Sequence, residues 1–264
     1  MSFDLGHWLV VSGCCLAAAA LAMAVTTVVA RRTGRFAVVD VTWGLALAAT
    51  SVVAAAVATF LDDGDWRRWL LVVLVSFWGL RLSWHVHRRN AGQEDRRYAE
   101  MLEGKSFGAA VVKVFGVQGA AVWLVSLPVQ VAAVTRTSWD WVAGVGAALW
   151  VVGVLFEAVG DAQLAAFKRD PDHGPVMDRG LWSWTRHPNY FGDACVWWGV
   201  WLVAVAAWPG VLTVVSPVAM TYFLVFATGA RLLEEHMSKR PGWHEYASRT
   251  SMFFPLPPRS PRAN

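Results

Sequence analysis

Long apolar runs, separated by short polar segments, dominate the pattern of hydrophobic and polar positions along the chain. Each run approaches or exceeds the roughly 20 residues that an α-helix needs to cross a bilayer. The runs lie at residues 8–30, 37–60, 66–86, 110–134, 139–160, 190–207 and 211–231. The pattern therefore predicts an all-α, polytopic membrane protein with seven transmembrane helices.

The composition agrees with this prediction. The 264 residues are 56% hydrophobic and 16% charged, and their mean hydropathy is +0.41. These values are too apolar and too poor in charge for an ordinary soluble domain. Because no internal repeat, low-complexity tract or long linker interrupts the pattern, we expect a single integral membrane domain over residues 1–264.

The distribution of basic residues predicts the orientation in the membrane. Of the 23 lysines and arginines, 20 fall in segments that seven spans place on one side. The positive-inside rule makes that side cytoplasmic, so the amino terminus is expected outside and the carboxyl terminus in the cytoplasm. The net charge of +4 then reflects topology and contact with anionic lipid rather than nucleic-acid binding.

The amino-terminal run and the cysteines carry no processing or metal signal. The first apolar run lacks a basic segment before it and a convincing cleavage site, so we interpret it as a retained helix rather than a signal peptide. Cys14, Cys15 and Cys195 have neither paired spacing nor the spacing of metal ligands. We expect no disulfide framework and no metal site.

The segment at residues 179–199, RGLWSWTRHPNYFGDACVWWG, carries polar side chains into an apolar run. If a helix begins near Asn189, then Asn189, Asp193 and Trp197 follow at steps of four and share one face. Tyr190 lies beside that face. The segment therefore predicts a polar helix surface that is able to hold a ligand.

A simpler interpretation of the same segment is structural. Arg186 and His187 would anchor a helix end among lipid headgroups, Pro188 would begin the helix, and the tryptophans would form an interfacial belt. This interpretation does not explain Asp193, because an intramembrane carboxylate is costly.

A second polar face is predicted at the end of the fifth apolar run. Glu157 and Asp161 are spaced four residues apart, and Lys168 follows two turns later. Carboxylates at this depth are expected to face the helix bundle and to pair with cations or with a ligand. The structural alternative is an ion pair with Arg186 or Arg231.

The third apolar run carries candidate acid–base chemistry. Arg81, His85 and Arg88 share one helix face, and a histidine there could donate a proton near neutral pH. The alternative is an interfacial hydrogen-bond donor. Asp40 begins the second run, where a helix cap or a salt bridge to Arg35 is the simplest interpretation.

The carboxyl-terminal segment adds an acid and two aromatic residues. Glu234 begins an amphipathic cytoplasmic extension, and Trp243 and Tyr246 lie a helical turn apart. The alternative is a tail that lies on the membrane surface. Taken with the other clusters, this segment predicts a cytoplasm-facing pocket for an anionic ligand that carries aromatic rings. No GxGxxG after a strand, phosphate-loop motif or GxSxG motif is present.

The motifs RGLW, TRHPNYFGD and WWG, followed by Glu234 to Tyr246 and a proline-rich finish, resemble the membrane reductase superfamily of steroid 5-alpha-reductases and sterol reductases. The resemblance covers residues 150–256, which it implies are the cofactor-binding part, and is looser over DVTWG and WGLRLSWHVHRR. The related isoprenylcysteine carboxyl methyltransferases carry a similar RHPxYxG core but bind S-adenosylmethionine. Asn189 and Asp193 are typical of the reductases, so the resemblance implies NADPH.

The resemblance also implies which residues bind the cofactor. They are Arg88, Arg186, His187, Asn189, Tyr190, Asp193, Trp197, Glu234 and Tyr246, and to these the polar face on the fifth run adds Asp161 and Lys168. In the steroid enzymes, the arginine that matches Arg88 of this chain is preceded, three residues earlier, by a tyrosine that binds the substrate ketone. His85 occupies that place here, and no glutamate on the second helix matches the family. Either His85, with Asp40, replaces the carbonyl-polarising pair and is catalytic, or the substrate is a lipid other than a 3-oxo steroid.

The expected reaction is NADPH-dependent reduction of an activated carbon–carbon double bond in a steroid-like or other membrane lipid. One alternative is an S-adenosylmethionine-dependent methyltransferase that acts on a lipid or prenylated acceptor. Another is a non-enzymatic lipid-binding or transporter-like bundle, in which Glu157, Asp161 and Asp193 move ions or substrate. The expected partners are the bilayer and its lipids and no nucleic acid, and the oligomeric state is left open.

Overall fold

The computed structural model is helical and describes residues 3–61, 65–90, 94–227 and 229–259. Its α-helices are Leu5–Thr33 (α1), Val38–Leu61 (α2), Arg67–Asn90 (α3), Arg96–Leu102 (α4), Phe107–Ala110 (α5), Val117–Val125 (α6), Leu127–Ala133 (α7), Asp140–Arg169 (α8), Pro188–Val205 (α9), Val215–Tyr222 (α10), Ala230–Met237 (α11) and Trp243–Arg249 (α12). Shorter 3-10 segments span Gly180–Ser183 and Gly210–Val214, and π-helical segments span Val111–Gly116 and Phe223–Ala227. Within the described ranges no strand forms.

Six helical segments among the described residues are long and apolar enough to cross a membrane. They are Leu5–Thr33, Val38–Leu61, Arg67–Arg89, Phe107–Val125, Asp140–Arg169 and Gly210–Met237. The all-α prediction is confirmed, and these six helices indicate an integral membrane protein. The remaining predicted span, 190–207, forms the 18-residue α9. This helix is not one of the six, because polar residues such as Asn189 and Asp193 lower its hydropathy.

The chain divides into two compact units. Unit 1 comprises Met1–Gly144 and Val200–Ser216, and unit 2 comprises Val145–Gly199 and Pro217–Asn264. The sequence predicted one domain with a cofactor-binding part at 150–256. Apart from residues 200–216, that part lies in unit 2.

In unit 1, helices α2 and α3 pack through a close contact between glycines. A Cβ atom on Gly44 would lie 2.3 Å from the carbonyl oxygen of Gly79, so neither position accommodates a side chain without movement. Ser83 Oγ, one turn further along α3, donates to Val41 O at 2.7 Å. Small residues and hydrogen bonds of this kind are the usual basis of helix association in lipid.

A buried arginine joins three connections of unit 1. Arg67 is fully buried, and its guanidinium donates to Asp65 Oδ2 at 3.3 Å, to Thr135 O at 2.9 Å and to Val203 O at 3.2 Å. The backbone N–H of Thr137 donates to the same Asp65 carboxylate. We call Asp65, Arg67, Thr135 and Thr137 the Arg67 cluster. Its polar atoms are bonded to one another and to main-chain carbonyls.

The predicted partner of Asp40 was wrong. Asp40 Oδ1 accepts a hydrogen bond of 2.7 Å from Tyr98 Oη, and Asp40 Oδ2 lies 3.4 Å from Arg97 Nη2, so the salt bridge is not to Arg35. The start of α2 is instead held by Glu94, whose Oε1 accepts from the backbone N–H of Ala37 at 2.9 Å. Burial raises the pKa of Tyr98, which keeps the phenol protonated as the donor to Asp40.

Candidate functional site

The site is built on the packing of α8 against α9 in unit 2. The two helices run antiparallel and meet through glycines: a Cβ on Gly192 would lie 2.5 Å from Gly153 O, and one on Gly199 would lie 2.6 Å from Gly146 O. Glycines at these positions let the two backbones approach closely, as is usual where helices associate in lipid. Because the backbones approach so closely, the side chain of Glu157 lies directly against Gly192.

Polar side chains of the two helices meet beside this contact. Glu157 is 3% exposed and Asp193 is 7% exposed, so both carboxyl groups are removed from solvent and lipid. Asn189 Nδ2 donates to Asp161 Oδ1 at 3.3 Å, which joins the predicted polar face of α9 to that of α8. Trp197, at the next step of four along α9, is fully buried.

Arg186, His187 and Glu234, which we call the Arg186 cluster, form a second polar center. Arg186 Nε donates to Glu234 Oε1 and Arg186 Nη2 donates to Glu234 Oε2, both at 2.8 Å. Such two-point pairing between a guanidinium and a carboxylate is strong and directional. The structural alternative had paired Arg186 with Glu157 or Asp161, whereas the contact is to Glu234 on α11.

The other donors of Arg186 hold the carboxyl-terminal segment in place. Its Nη1 donates to Ala247 O at 2.9 Å and to Thr250 O at 2.5 Å, and its guanidinium carbon lies 5.9 Å from the center of the Trp243 ring. The backbone N–H of Arg186 donates to Ser251 O at 2.9 Å. Arg186 therefore joins the start of α9 to α12 and to the chain after it.

His187 is almost fully buried, and its two ring nitrogens have different environments. Nε2 lies 2.9 Å from Glu234 Oε1, and because a carboxylate only accepts, Nε2 carries the proton. Nδ1 is buried and has no hydrogen-bond partner among the residues that the structure describes. The ring stacks on Tyr190, with centers 5.5 Å apart and planes inclined by 12°. A fixed, buried and unsatisfied nitrogen is therefore present beside an aromatic ring.

The RGLW motif forms a 3-10 turn that is fixed to both α8 and α12. Gly180 adopts a φ of 60°, and a side chain there would collide with Gln163. Gln163 Oε1 accepts from the backbone N–H of Leu181 at 3.0 Å, and Trp182 Nε1 donates to Gly160 O at 3.0 Å. Gln163 was not predicted from the sequence, because nothing in its spacing relates it to a turn 17 residues later.

Tyr246, which was predicted to bind the cofactor, uses its hydroxyl within the fold. Its Oη donates to Trp182 O at 2.6 Å, and burial raises the pKa of this phenol. The hydroxyl is therefore a neutral donor that links α12 to the RGLW turn. The next residue, Ala247, accepts a hydrogen bond from Arg186 Nη1 through its carbonyl.

The remaining predicted residues lie elsewhere in the fold. Lys168 is exposed near the carboxyl end of α8. His85 and Arg88 lie on α3 and Asp40 lies on α2, all in unit 1, and the Arg88 guanidinium carbon is 5.8 Å from the center of the Trp84 ring. Across the described part of the chain, no group of three His, Cys, Asp or Glu side chains is arranged to hold a metal ion.

Comparison with known proteins places this architecture in a family. An uncharacterised protein of Schizosaccharomyces pombe is 22% identical over 223 residues, which cover 72% of this chain and 63% of that protein. The chain thus spans less than two thirds of the length of this relative. No solved structure matches the chain. Residues 26–250 match the family described as "Protein of unknown function (DUF1295)", so the chain belongs to the DUF1295 family.

Proposed function

We propose that this protein is an NADPH-dependent membrane reductase of an activated carbon–carbon double bond in a steroid-like or other lipid. The observation that carries the proposal is the buried, unpartnered Nδ1 of His187, next to the ring of Tyr190 and two residues before Asn189. Buried polar atoms in folded proteins are normally satisfied, so an exception in a polar cluster marks a ligand site. The motif that resembles the steroid 5-alpha-reductases covers the same residues.

The chemistry of unit 2 fits a dinucleotide. Its ribose hydroxyls and carboxamide are hydrogen-bond donors, and His187 Nδ1 and the carboxylate of Asp161 are acceptors at this site. Tyr190 is partly exposed and offers an aromatic ring, whereas Trp197 is fully buried and supports α9 from behind. Asn189, held by Asp161, keeps further amide capacity for a ligand.

Arg186 has a different role in the proposed site. Four of its five N–H groups already donate within the protein, to Glu234 and to two main-chain carbonyls. We therefore assign it to positioning: it holds Glu234, which in turn fixes the ring orientation of His187. The phosphate groups are assigned to more exposed cations, of which Lys168 is the predicted example.

When bound, NADPH supplies a hydride, and the chain supplies binding, orientation and exclusion of water. The buried Glu157 and Asp193 lie where the close α8–α9 contact excludes solvent. His85 is proposed as the proton donor, and Asp40 is the second residue that the sequence assigns to catalysis. This part of the proposal rests on the resemblance of the α3 segment, and both residues lie in unit 1.

The proposed location is a bacterial-type inner membrane with the site facing the cytoplasm. The support is the bias of 20 among 23 basic residues toward one set of connections. In the proposed topology α9 spans the membrane as the sixth of seven helices. Its lower hydropathy suits a helix that is largely covered by protein, as most of its residues are.

Ligand-dependent thermal stability tests the proposal. The purified protein, in phosphatidylcholine nanodiscs, is heated with NADPH or with S-adenosylmethionine. Because a ligand stabilises the state that binds it, we expect a higher midpoint with NADPH alone. A shift with S-adenosylmethionine alone would support the methyltransferase instead. A shift with neither would support a non-enzymatic bundle. Lipid extracts from expressing cells should then show a product heavier by two hydrogens.

A further inference from the structure

A cavity of about 570 Å³ lies in unit 2, where the loop before the RGLW turn meets the chain after α12. Three arginines line it, Arg179, Arg249 and Arg259, together with Ser183 and Thr250. A smaller cavity of about 270 Å³ shares Arg249 and Arg259 and extends to Leu256. We call the two together the cationic cavity.

Main-chain hydrogen bonds hold the walls of the cationic cavity. Thr185 Oγ1 donates to Phe253 O at 2.9 Å, and the backbone N–H of Leu256 donates to Trp184 O at 3.0 Å. The backbone N–H of Arg259 donates to Arg249 O at 2.9 Å. These bonds fix the backbone of the carboxyl-terminal segment against the RGLW turn, so the arginines are presented from a defined framework.

The charge of the cationic cavity is unbalanced. Asp178 is its acidic residue, and this carboxylate pairs with Arg249. Among the residues that the structure describes, no protein acceptor binds the guanidinium of Arg179 or of Arg259. Two exposed guanidinium groups at one cavity supply the charge and the hydrogen-bond donors that a phosphate group binds.

The position of the cationic cavity favours a lipid as the source of that phosphate. Its residues follow the candidate spans Asp140–Arg169 and Gly210–Met237, so they lie where the chain leaves the membrane. Large apolar side chains stand exposed in the same segments: Trp184 is 47% exposed and Phe254 is 66% exposed. Exposed aromatic residues beside arginines are typical of the boundary between bilayer and water.

We propose that the cationic cavity binds the phosphate-bearing headgroup of an anionic membrane lipid. Arg179 and Arg259 contact the phosphate, Arg249 adds charge, and Trp184, Phe254 and Leu256 contact the glycerol and upper acyl region. The site is independent of the proposed reductase. The cationic cavity adjoins the Arg186 cluster through Thr250. This residue lines the cavity, and its carbonyl oxygen accepts a hydrogen bond from Arg186.

The test compares lipid binding by native mass spectrometry and by thermal shift. The probes are phosphatidylglycerol, phosphatidylcholine, inorganic phosphate and NADPH, each added to the full chain in detergent. The variant Arg179→Gln/Arg259→Gln is compared with Lys239→Gln/Arg240→Gln, which removes the same charge from exposed positions outside the cavity. We expect phosphatidylglycerol to bind about 30-fold more weakly to the cavity variant, and the control variant to bind like the wild type.

Three outcomes would overturn the proposal. Equal loss in both variants would mean that phosphatidylglycerol responds to net charge and not to this cavity. An equal thermal shift from inorganic phosphate would identify a site for the free anion. Displacement of the lipid by NADPH, with matching loss of NADPH affinity in the cavity variant, would assign the cavity to the cofactor. A cavity variant that unfolds early in phosphatidylcholine is replaced by Arg259→Gln alone, with the same expectation of direction.

Discussion

Two arginines, Arg67 fully buried and Arg186 half-buried, have nearly the same bonds and different surroundings. Arg67 in unit 1 pairs with Asp65 and donates to the carbonyls of Thr135 and Val203. Arg186 in unit 2 pairs with Glu234 and donates to two main-chain carbonyls. Each joins segments that are distant in sequence. An ion pair that is bonded in this way connects parts of the fold, and it does not by itself indicate a ligand site, however deeply it is buried.

The neighbours of the two arginines differ. Around the ion pair of Arg67 and Asp65 the neighbours are threonines and main-chain atoms, which have no further acid–base chemistry. Beside Arg186 lie His187, with an unpartnered Nδ1 within the described structure, and the stacked ring of Tyr190. The comparison teaches that a buried ion pair locates a rigid framework, and that the unsatisfied groups next to it locate a site.

The largest expected effect comes from breaking the Arg67 cluster. Arg67→Met leaves the Asp65 carboxylate buried without its cation, which we expect to cost about 3–5 kcal/mol of stability. Chemical denaturation in detergent measures the loss. The NADPH affinity of the protein that remains folded should equal that of the wild type. A large loss of affinity at unchanged stability would reverse the roles assigned to the two clusters.

A smaller loss of stability is expected from crowding the α8–α9 contact. In Gly192→Ala the new methyl group meets the Gly153 carbonyl, which we expect to cost about 1–3 kcal/mol. The shift should also displace the neighbouring Glu157 and weaken NADPH binding. Gly13→Ala is the matched control, since a Cβ there meets nothing within 4 Å. Equal thermal midpoints for both variants would contradict the close packing.

Removing the amide of Asn189 tests the polar face directly. Asn189→Ala removes its bond to Asp161 and, in our account, a ligand contact, so NADPH should bind about tenfold more weakly. Isothermal titration in nanodiscs measures the affinity. Unchanged affinity in this variant and in Asp193→Ala would remove α9 from the cofactor site.

The smallest expected effect lies in unit 1. Tyr98→Phe removes the bond to Asp40 and should cost about 1 kcal/mol of stability. Burial raises the pKa of Tyr98 above its ordinary value, so the wild type should lose stability as the pH rises through and beyond about 10, and the variant should lose less. If the two proteins lost the same amount of stability as the pH rises, the phenol of Tyr98 would not be buried.

The parts of the fold that the sequence predicted are those that depend on local pattern. Apolar runs identified the six candidate spans, and Pro188 marked the start of α9. Steps of four brought Asn189 to a polar face, although its partner Asp161 is 28 residues away. A carboxylate is costly inside a membrane, so Asp161 was expected to face the helix bundle and to find a polar partner there.

The parts that the sequence did not predict depend on contacts between distant segments. Glu234 was expected near the site, but its pairing with Arg186, 48 residues away, depends on how α11 packs. Asp40 was assigned to Arg35, five residues earlier, whereas Tyr98 and Arg97 are its partners. Local spacing favours a partner that is near in sequence. No periodic pattern in the connector before α4 indicates that this helix packs against the start of α2.

The proposed reduction of a lipid by NADPH is tested most directly by following a deuterium label from the cofactor to the lipid. The protein, in nanodiscs that contain total membrane lipid, is incubated with NADPH deuterated at the transferable position of the nicotinamide, and lipids are analysed by mass spectrometry. The account predicts a lipid that gains one deuterium and one proton with the wild type and with Gly13→Ala, and not with Asp193→Ala. A lipid labelled equally by Asp193→Ala, or no labelled lipid with a wild type that binds NADPH, would contradict it.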